Sequence, residues 1–140
     1  MTDMELLARA KEAKNFSYAP YSGFHVGAAL LCEDGSVYTG CNIENAAYSP
    51  TNCAERTALF KAVSEGKRGF AAIAVVGDRR ERVTPCGVCR QALAEFVEPD
   101  RFRIVMEDGR GGAWSAYLTE LLPFAFTPDN LKSVSDAKKD

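Results

Sequence analysis

Phe70-Ala71-Ala72-Ile73-Ala74-Val75-Val76 is a nearly continuous apolar run of strand length. A strand with one face in water alternates polar and apolar residues; this run does not, so it reads as a strand covered on both faces. The flanking sequence supplies the cover. Ala54 to Glu65 reads as a helix stopped by Gly66, and a second helix runs from about Val88 to Val97. A third spans Asp3 to Phe16, with Leu6, Leu7, Ala10, Ala13 and Phe16 on one face and Glu5, Arg9, Lys11 and Glu12 elsewhere. Phe24 to Cys32 and Ser36 to Asn42 read as strands joined by the tight turn Glu33-Asp34-Gly35, and Arg101 to Met106 as another strand. Glu44 to Asn52 reads as an irregular loop, and Tyr117 to Leu122 as a last short helix before Pro123. Strands alternating with helices imply an α/β protein, a three-layer α/β/α sandwich around a mixed β-sheet.

The chain has 140 residues, 46% hydrophobic and 26% charged, which suits one domain with a real core. We expect that domain over residues 1–132 and a polar, fraying tail over 133–140. With 17 basic and 19 acidic side chains the net charge is −2, so no broad footprint for a phosphate backbone exists and no nucleic-acid partner is expected. Arg79-Arg80-Glu81-Arg82 reads as a solvated connection. No apolar run reaches membrane-spanning length, and Asp3 and Glu5 sit where a signal peptide needs apolar residues. These features predict a cytoplasmic location without membrane association.

The unusual feature is five cysteines, Cys32, Cys41, Cys53, Cys86 and Cys89, against one histidine, His25. In a cytosolic chain such cysteines are core residues, metal ligands or catalytic groups more often than disulfides, and an odd count fits a disulfide framework badly. Two short segments, Cys53-Ala54-Glu55-Arg56 and Pro85-Cys86-Gly87-Val88-Cys89-Arg90, lie where loops turn into helices. Cys86 and Cys89 are three apart, so their sulfurs can point at one ion, and the N–H dipoles of a helix start favour thiolates. A third thiolate from Cys53 leaves the fourth position of a tetrahedral zinc open, as in catalytic sites. Glu55, two residues beyond a ligand, can then approach that position as a proton shuttle without binding metal. Cys32 shares strand parity with Val26, Ala28 and Leu30 and reads as core, as does Cys41; His25, with no partner motif, reads as a structural or surface histidine.

A glutamate two residues after a ligand, followed by Pro-Cys-x-x-Cys, is the zinc-deaminase pattern in its three-cysteine form. With Gly40-Cys41-Asn42-Ile43-Glu44-Asn45, and from Ser17-Tyr18-Ala19-Pro20-Tyr21-Ser22 to Pro123-Phe124-Ala125-Phe126, the chain resembles the small homotetrameric cytidine deaminases over most of its length. The resemblance implies hydrolytic deamination of cytidine and 2′-deoxycytidine in pyrimidine salvage. It implies one Zn²⁺ per subunit on Cys53, Cys86 and Cys89, with Glu55 moving protons. It also implies that Phe24 packs on the pyrimidine, that Asn42 and Glu44 hold the ribose, that backbone groups of Ala54 contact the base, and that Phe126 enters a neighbouring subunit's site in a homotetramer. Two features support the ribose role independently: positions 42 and 44 share a face if the strand continues, and an amide beside a carboxylate suits a diol. Phe124 stands where many relatives carry glycine.

Three thiolates on Zn²⁺ leave an excess negative charge that would weaken the metal's pull on water. Arg56, three residues after Cys53 on the same helical face, can donate to the sulfurs and offset it, and the resemblance implies the same role. Two other readings share the motifs: a deaminase of a cytosine-bearing nucleoside antibiotic such as blasticidin S, and a non-catalytic structural zinc module.

Overall fold

In chain order the elements are helix α1 (Asp3–Lys14), strands β1 (Gly27–Cys32) and β2 (Val37–Cys41), helix α2 (Ala54–Ser64), strand β3 (Phe70–Val76), helix α3 (Gly87–Ala94), strands β4 (Arg103–Glu107) and β5 (Ala113–Tyr117), and the short helix α4 (Leu118–Leu121). The structure, a computed structural model, describes residues 1–132; the tail expected at 133–140 lies outside the described residues. The strands form one sheet in the order β2-β1-β3-β4-β5. All neighbours are antiparallel except β3 and β4, which run parallel, so the sheet is mixed. That parallel pair requires a crossover, and α3 lies within it.

The central run Phe70–Val76 is buried at every position but Ala71. Its side chains alternate between two cores. Ile73 joins Leu30, Leu59, Leu93 and Ile104 in the core under α2 and α3, whereas Ala72, Ala74 and Val76 join Leu6, Leu7 and Ala10 under α1. Helices on both faces give the α/β/α layering. α1 starts in a capping box, Glu5 N donating to Thr2 Oγ1 at 3.1 Å and Thr2 N to Glu5 Oε2 at 2.8 Å. Arg103 of β4 grips Asp3 with two bonds of 2.8 and 2.9 Å and holds its carboxyl below the usual carboxylate range.

Several boundaries differ from expectation. α1 ends at Lys14, and Phe16 is 80% exposed, outside the apolar face assigned to it. β1 begins at Gly27 rather than Phe24, and α3 ends at Ala94 rather than Val97. Tyr117 closes β5, a strand the sequence reading did not anticipate, and the helix expected from it occupies only Leu118–Leu121. β5 is a half-solvated edge strand, and its pairing comes from the turn before it. Asp108 Oδ1 accepts from Arg110 N at 2.7 Å and from Gly112 N at 3.0 Å, with Gly109 and Gly111 at positive φ.

The placement of α2 depends on Gly40 in β2. A Cβ there would stand 2.5 Å from Ala54 O and 2.5 Å from Ala58 N, both backbone atoms of the first turns of α2. Gly40→Ala must therefore displace the helix, and we expect a loss of about 1–3 kcal/mol in urea denaturation. Gly87→Ala, where a Cβ meets nothing within 4 Å, is the control and should leave the midpoint nearly unchanged.

Candidate metal centre

α2 and α3 pack on the same face of the sheet, and their first turns bring three sulfurs together. Cys53 and Cys86 are the N-cap residues of the two helices, with extended backbones at φ −78°, ψ 157° and φ −66°, ψ 168°. Neither sulfur caps its own helix, so both are free to turn outward. Cys89, in the first turn of α3, is buried. The three Sγ atoms lie within 4.8 Å of one another, with Cys53 and Cys86 3.8 Å apart. Zn–S bonds of about 2.3 Å in a tetrahedron call for sulfurs about 3.8 Å apart, whereas a disulfide needs about 2.05 Å. All five cysteines are free. The donor set therefore fits a soft, tetrahedral ion, and among the described residues no fourth ligating group joins it.

The remaining cysteines and the histidine stand apart. Cys32 is buried with Ala28 and Leu30 in the core, and Cys41 is half-buried at the end of β2, where burial pushes its thiol up. His25 donates its backbone N–H to Asp78 Oδ2 at 2.8 Å and pairs with the same oxygen through Nδ1 at 2.9 Å.

Arg56 lies against the sulfurs, donating from Nη2 to Cys53 at 3.3 Å and from Nε to Cys89 at 3.4 Å. A hydrogen bond from Cys89, reinforced by Arg56 and Cys86, pulls the Cys53 thiol down to about 5, while sharing with Cys53 and burial push Cys89 up. Glu55 is 4% exposed; burial, with the Cys53 charge adding to it against an opposing hydrogen bond from Cys89, raises its carboxyl to about 7. A carboxyl so poised exchanges protons readily near neutral pH.

Cys53, Glu55 and Cys86 open onto a cavity of about 320 Å³ that Phe24, Asn42, Glu44 and Ala54 also line. This volume suits a small ligand. Asn42 and Glu44 are fixed by the chain itself. Asn42 donates from Nδ2 to Phe24 O at 2.9 Å and accepts at Oδ1 from Val26 N at 2.9 Å and from the Ser17 hydroxyl. Glu44 accepts from the Ser22 hydroxyl, from Ser22 N at 3.1 Å and from Tyr21 N at 2.9 Å, and these bonds, led by Ser22, hold its carboxyl below the usual range.

Sequence reasoning missed part of this wall. Ser22, Asn52, Val83 and Thr84 also line the cavity. Val83 and Phe24 meet over Gly77, where a Cβ would stand 2.7 Å from Val83 Cγ2 and 2.8 Å from Phe24 Cζ. Ser22 entered only within the stretch 17–22 that carries the family resemblance, and no local signal marks Val83. Phe126 stands elsewhere on this chain: it is 60% exposed, lines a separate groove with Leu131, and its carbonyl accepts from Gln91 Nε2 at 2.8 Å.

Residues 1–106 match the family described as the cytidine and deoxycytidylate deaminase zinc-binding region. The chain is 50% identical over 132 residues to a cytidine deaminase of Sporosarcina psychrophila, covering 94% of this chain and 96% of that protein. It superposes on the crystal structure of a cytidine deaminase from Burkholderia pseudomallei with a TM-score of 0.84 at 48% identity, over 90% of this chain and all (100%) of that one. A blasticidin-S deaminase of Bacillus cereus is more distant, 32% identical over 133 residues, covering 89% of this chain and 92% of that protein.

The contacts of Arg56 define a test. Arg56→Gln should keep the far-UV circular dichroism of the wild type while zinc affinity falls about ten- to hundredfold, read by equilibrium dialysis against a competing chelator. Wild-type zinc content and turnover would contradict a role on the sulfurs.

Proposed function

Since the chain belongs to the cytidine and deoxycytidylate deaminase zinc-binding family, we propose that it converts cytidine and 2′-deoxycytidine, with water, to uridine and 2′-deoxyuridine and ammonia, as a step of pyrimidine salvage. One observation carries the reading: of three converging sulfurs, those of Cys53 and Cys86 open, together with a buried, proton-poised Glu55, onto one small cavity. Cys53, Cys86 and Cys89 would hold zinc, which when bound supplies Lewis-acid activation of water.

The protein's own groups do the rest. Glu55 accepts one proton as water attacks C4 of the pyrimidine and delivers it to ring N3; it then takes the remaining proton from the C4 hydroxyl and passes it to the amino group as the C4–N bond breaks, leaving a C4 carbonyl and ammonia. Burial supports this role, since it holds the carboxyl near the pH at which both its forms are populated. Arg56 withdraws negative charge from two of the sulfurs. Phe24 packs on the base, and backbone groups of Ala54, at the start of α2, contact it where helix N–H groups have no acceptor within the helix. Asn42 keeps one N–H and Glu44 keeps lone pairs beyond the bonds described, and these would take the ribose hydroxyls. Among the described residues no lysine, arginine or histidine lines the cavity, which supports an uncharged nucleoside as substrate.

The working assembly is a homotetramer in this reading, with Phe126 entering a neighbouring subunit's site. Support comes from Phe124 and Phe126, at 105% and 60% exposure, whose burial against another copy would remove apolar surface from water. No helix of the described residues is long and apolar enough to cross a membrane. Five free thiols suit the reducing cytoplasm.

Glu55→Gln separates catalysis from a purely structural zinc role. It should fold and keep stoichiometric zinc by atomic absorption while kcat for cytidine falls by at least about a thousandfold, in line with removal of a general acid–base acting at several steps. Unchanged turnover would sink the assignment. A substrate panel followed by loss of the cytosine absorbance should place cytidine and deoxycytidine well above blasticidin S in kcat/KM; the reverse order would favour the antibiotic reading.

A further inference from the structure

Arg90 follows the buried ligand Cys89, yet the chemistry above makes no use of it. Its guanidinium donates through Nε to the carbonyl of Pro85 and through Nη1 to that of Leu121, both at 2.7 Å. Its backbone N–H reaches Cys86 O at 2.9 Å. Pro85 immediately precedes Cys86, so the side chain closes residues 85–90 into a ring that contains both Cys86 and Cys89. The other arm of the fork ends on Leu121, the last residue of α4, where carbonyls lack helical partners. The next residue, Gln91, holds the same C-terminal segment further along, at Phe126 O.

Among the described residues Arg90 enters no ion pair, so its charge is directed at carbonyls alone. Charge-assisted bonds of this length are strong, and a planar fork fixes the two acceptors relative to each other in a way lysine cannot reproduce. The two arginines after the ligands therefore act on different things. Arg56 touches sulfur; the Arg90 guanidinium touches backbone carbonyls, one beside Cys86 and one at the end of α4.

We infer that Arg90 is a positioning residue for the metal centre: by tying the Pro85 carbonyl to the end of α4, it sets the spacing of the Cys86 and Cys89 sulfurs and makes metal retention depend on docking of the C-terminal segment. This inference rests on the metal-centre reading and is independent of which nucleoside is deaminated.

The test is zinc release from the zinc-loaded protein into excess colorimetric chelator, followed beside circular dichroism and thermal melting. Arg90→Ala should remain folded and release zinc about ten- to hundredfold faster than wild type, the range typical of lost support around metal ligands. Millimolar n-propylguanidinium should slow that release toward the wild-type rate. Release at the wild-type rate would overturn the proposal, and so would faster release that added guanidinium leaves unchanged, since that pattern belongs to lost packing. Should Arg90→Ala not fold, Arg90→Lys carries the test: it keeps the charge without the fork, and must release zinc faster than wild type while still melting cooperatively. A wild-type rate in that variant overturns the proposal. Failure of the cytidine reading would appear separately, as wild-type protein that holds zinc and turns over no cytidine.

Discussion

Three thiolates repel one another, and bringing them within one coordination sphere is the constraint that organises this chain. Two sulfurs 3.8 Å apart are held there by elements distant in sequence, because Cys53 and Cys86 each begin a helix and both helices lie on one face of the sheet. Both residues stand at helix starts, where the helix dipole favours negative charge nearby. The common face follows in turn from β3, whose alternating side chains separate α1 from α2 and α3. Gly40 completes the arrangement, since any side chain there would push the Cys53 end of α2 off the sheet. A metal site made of nothing but cysteine is thus a statement about helix placement before it is one about ligands.

The same excess charge links the chemistry of neighbouring residues. Cys89, with Arg56 beside it, stabilises negative charge on Cys53, and burial, with that charge adding to it, raises the carboxyl of Glu55. A group that must both take and give protons near neutral pH needs such an environment, and an exposed glutamate at a helix start would not have it. Histidine in place of one cysteine would leave less charge for an arginine to offset. The near absence of histidine and the presence of Arg56 are therefore one feature seen twice.

Much of this was legible in the sequence because it depends on local order. The apolar run 70–76 identified a strand covered on both faces, and the spacing of Cys53, Cys86 and Cys89 marked the three sulfurs that the structure brings together. What escaped was interaction between distant segments. β5 is short and half-solvated, so its pairing with β4 lies in the Asp108 turn rather than in a hydrophobic pattern. Arg90 sits inside a quoted motif, but its acceptor at Leu121 is 31 positions away and is a backbone carbonyl, which no side-chain pattern reveals. Asn42 and Glu44 were read as ribose ligands; the structure adds that both are already gripped by residues 17–26, so whatever they bind meets a fixed surface.

Phe124 joins these threads. The chain carries phenylalanine there, where many members of the family it resembles carry glycine, and the backbone has φ +54°, in the left-handed region where glycine is at ease. A non-glycine residue in that region costs about 1–2 kcal/mol, and its ring, fully exposed, returns nothing within the chain. The conformation therefore needs support on both sides, and it has it: Arg90 fixes Leu121 before the bend and Gln91 fixes Phe126 after it. Because both anchors belong to the helix that carries Cys89, the bend at Phe124 is held to the frame of the metal centre. The bend at this position is thus tied, through two adjacent side chains, to the turn that carries Cys89.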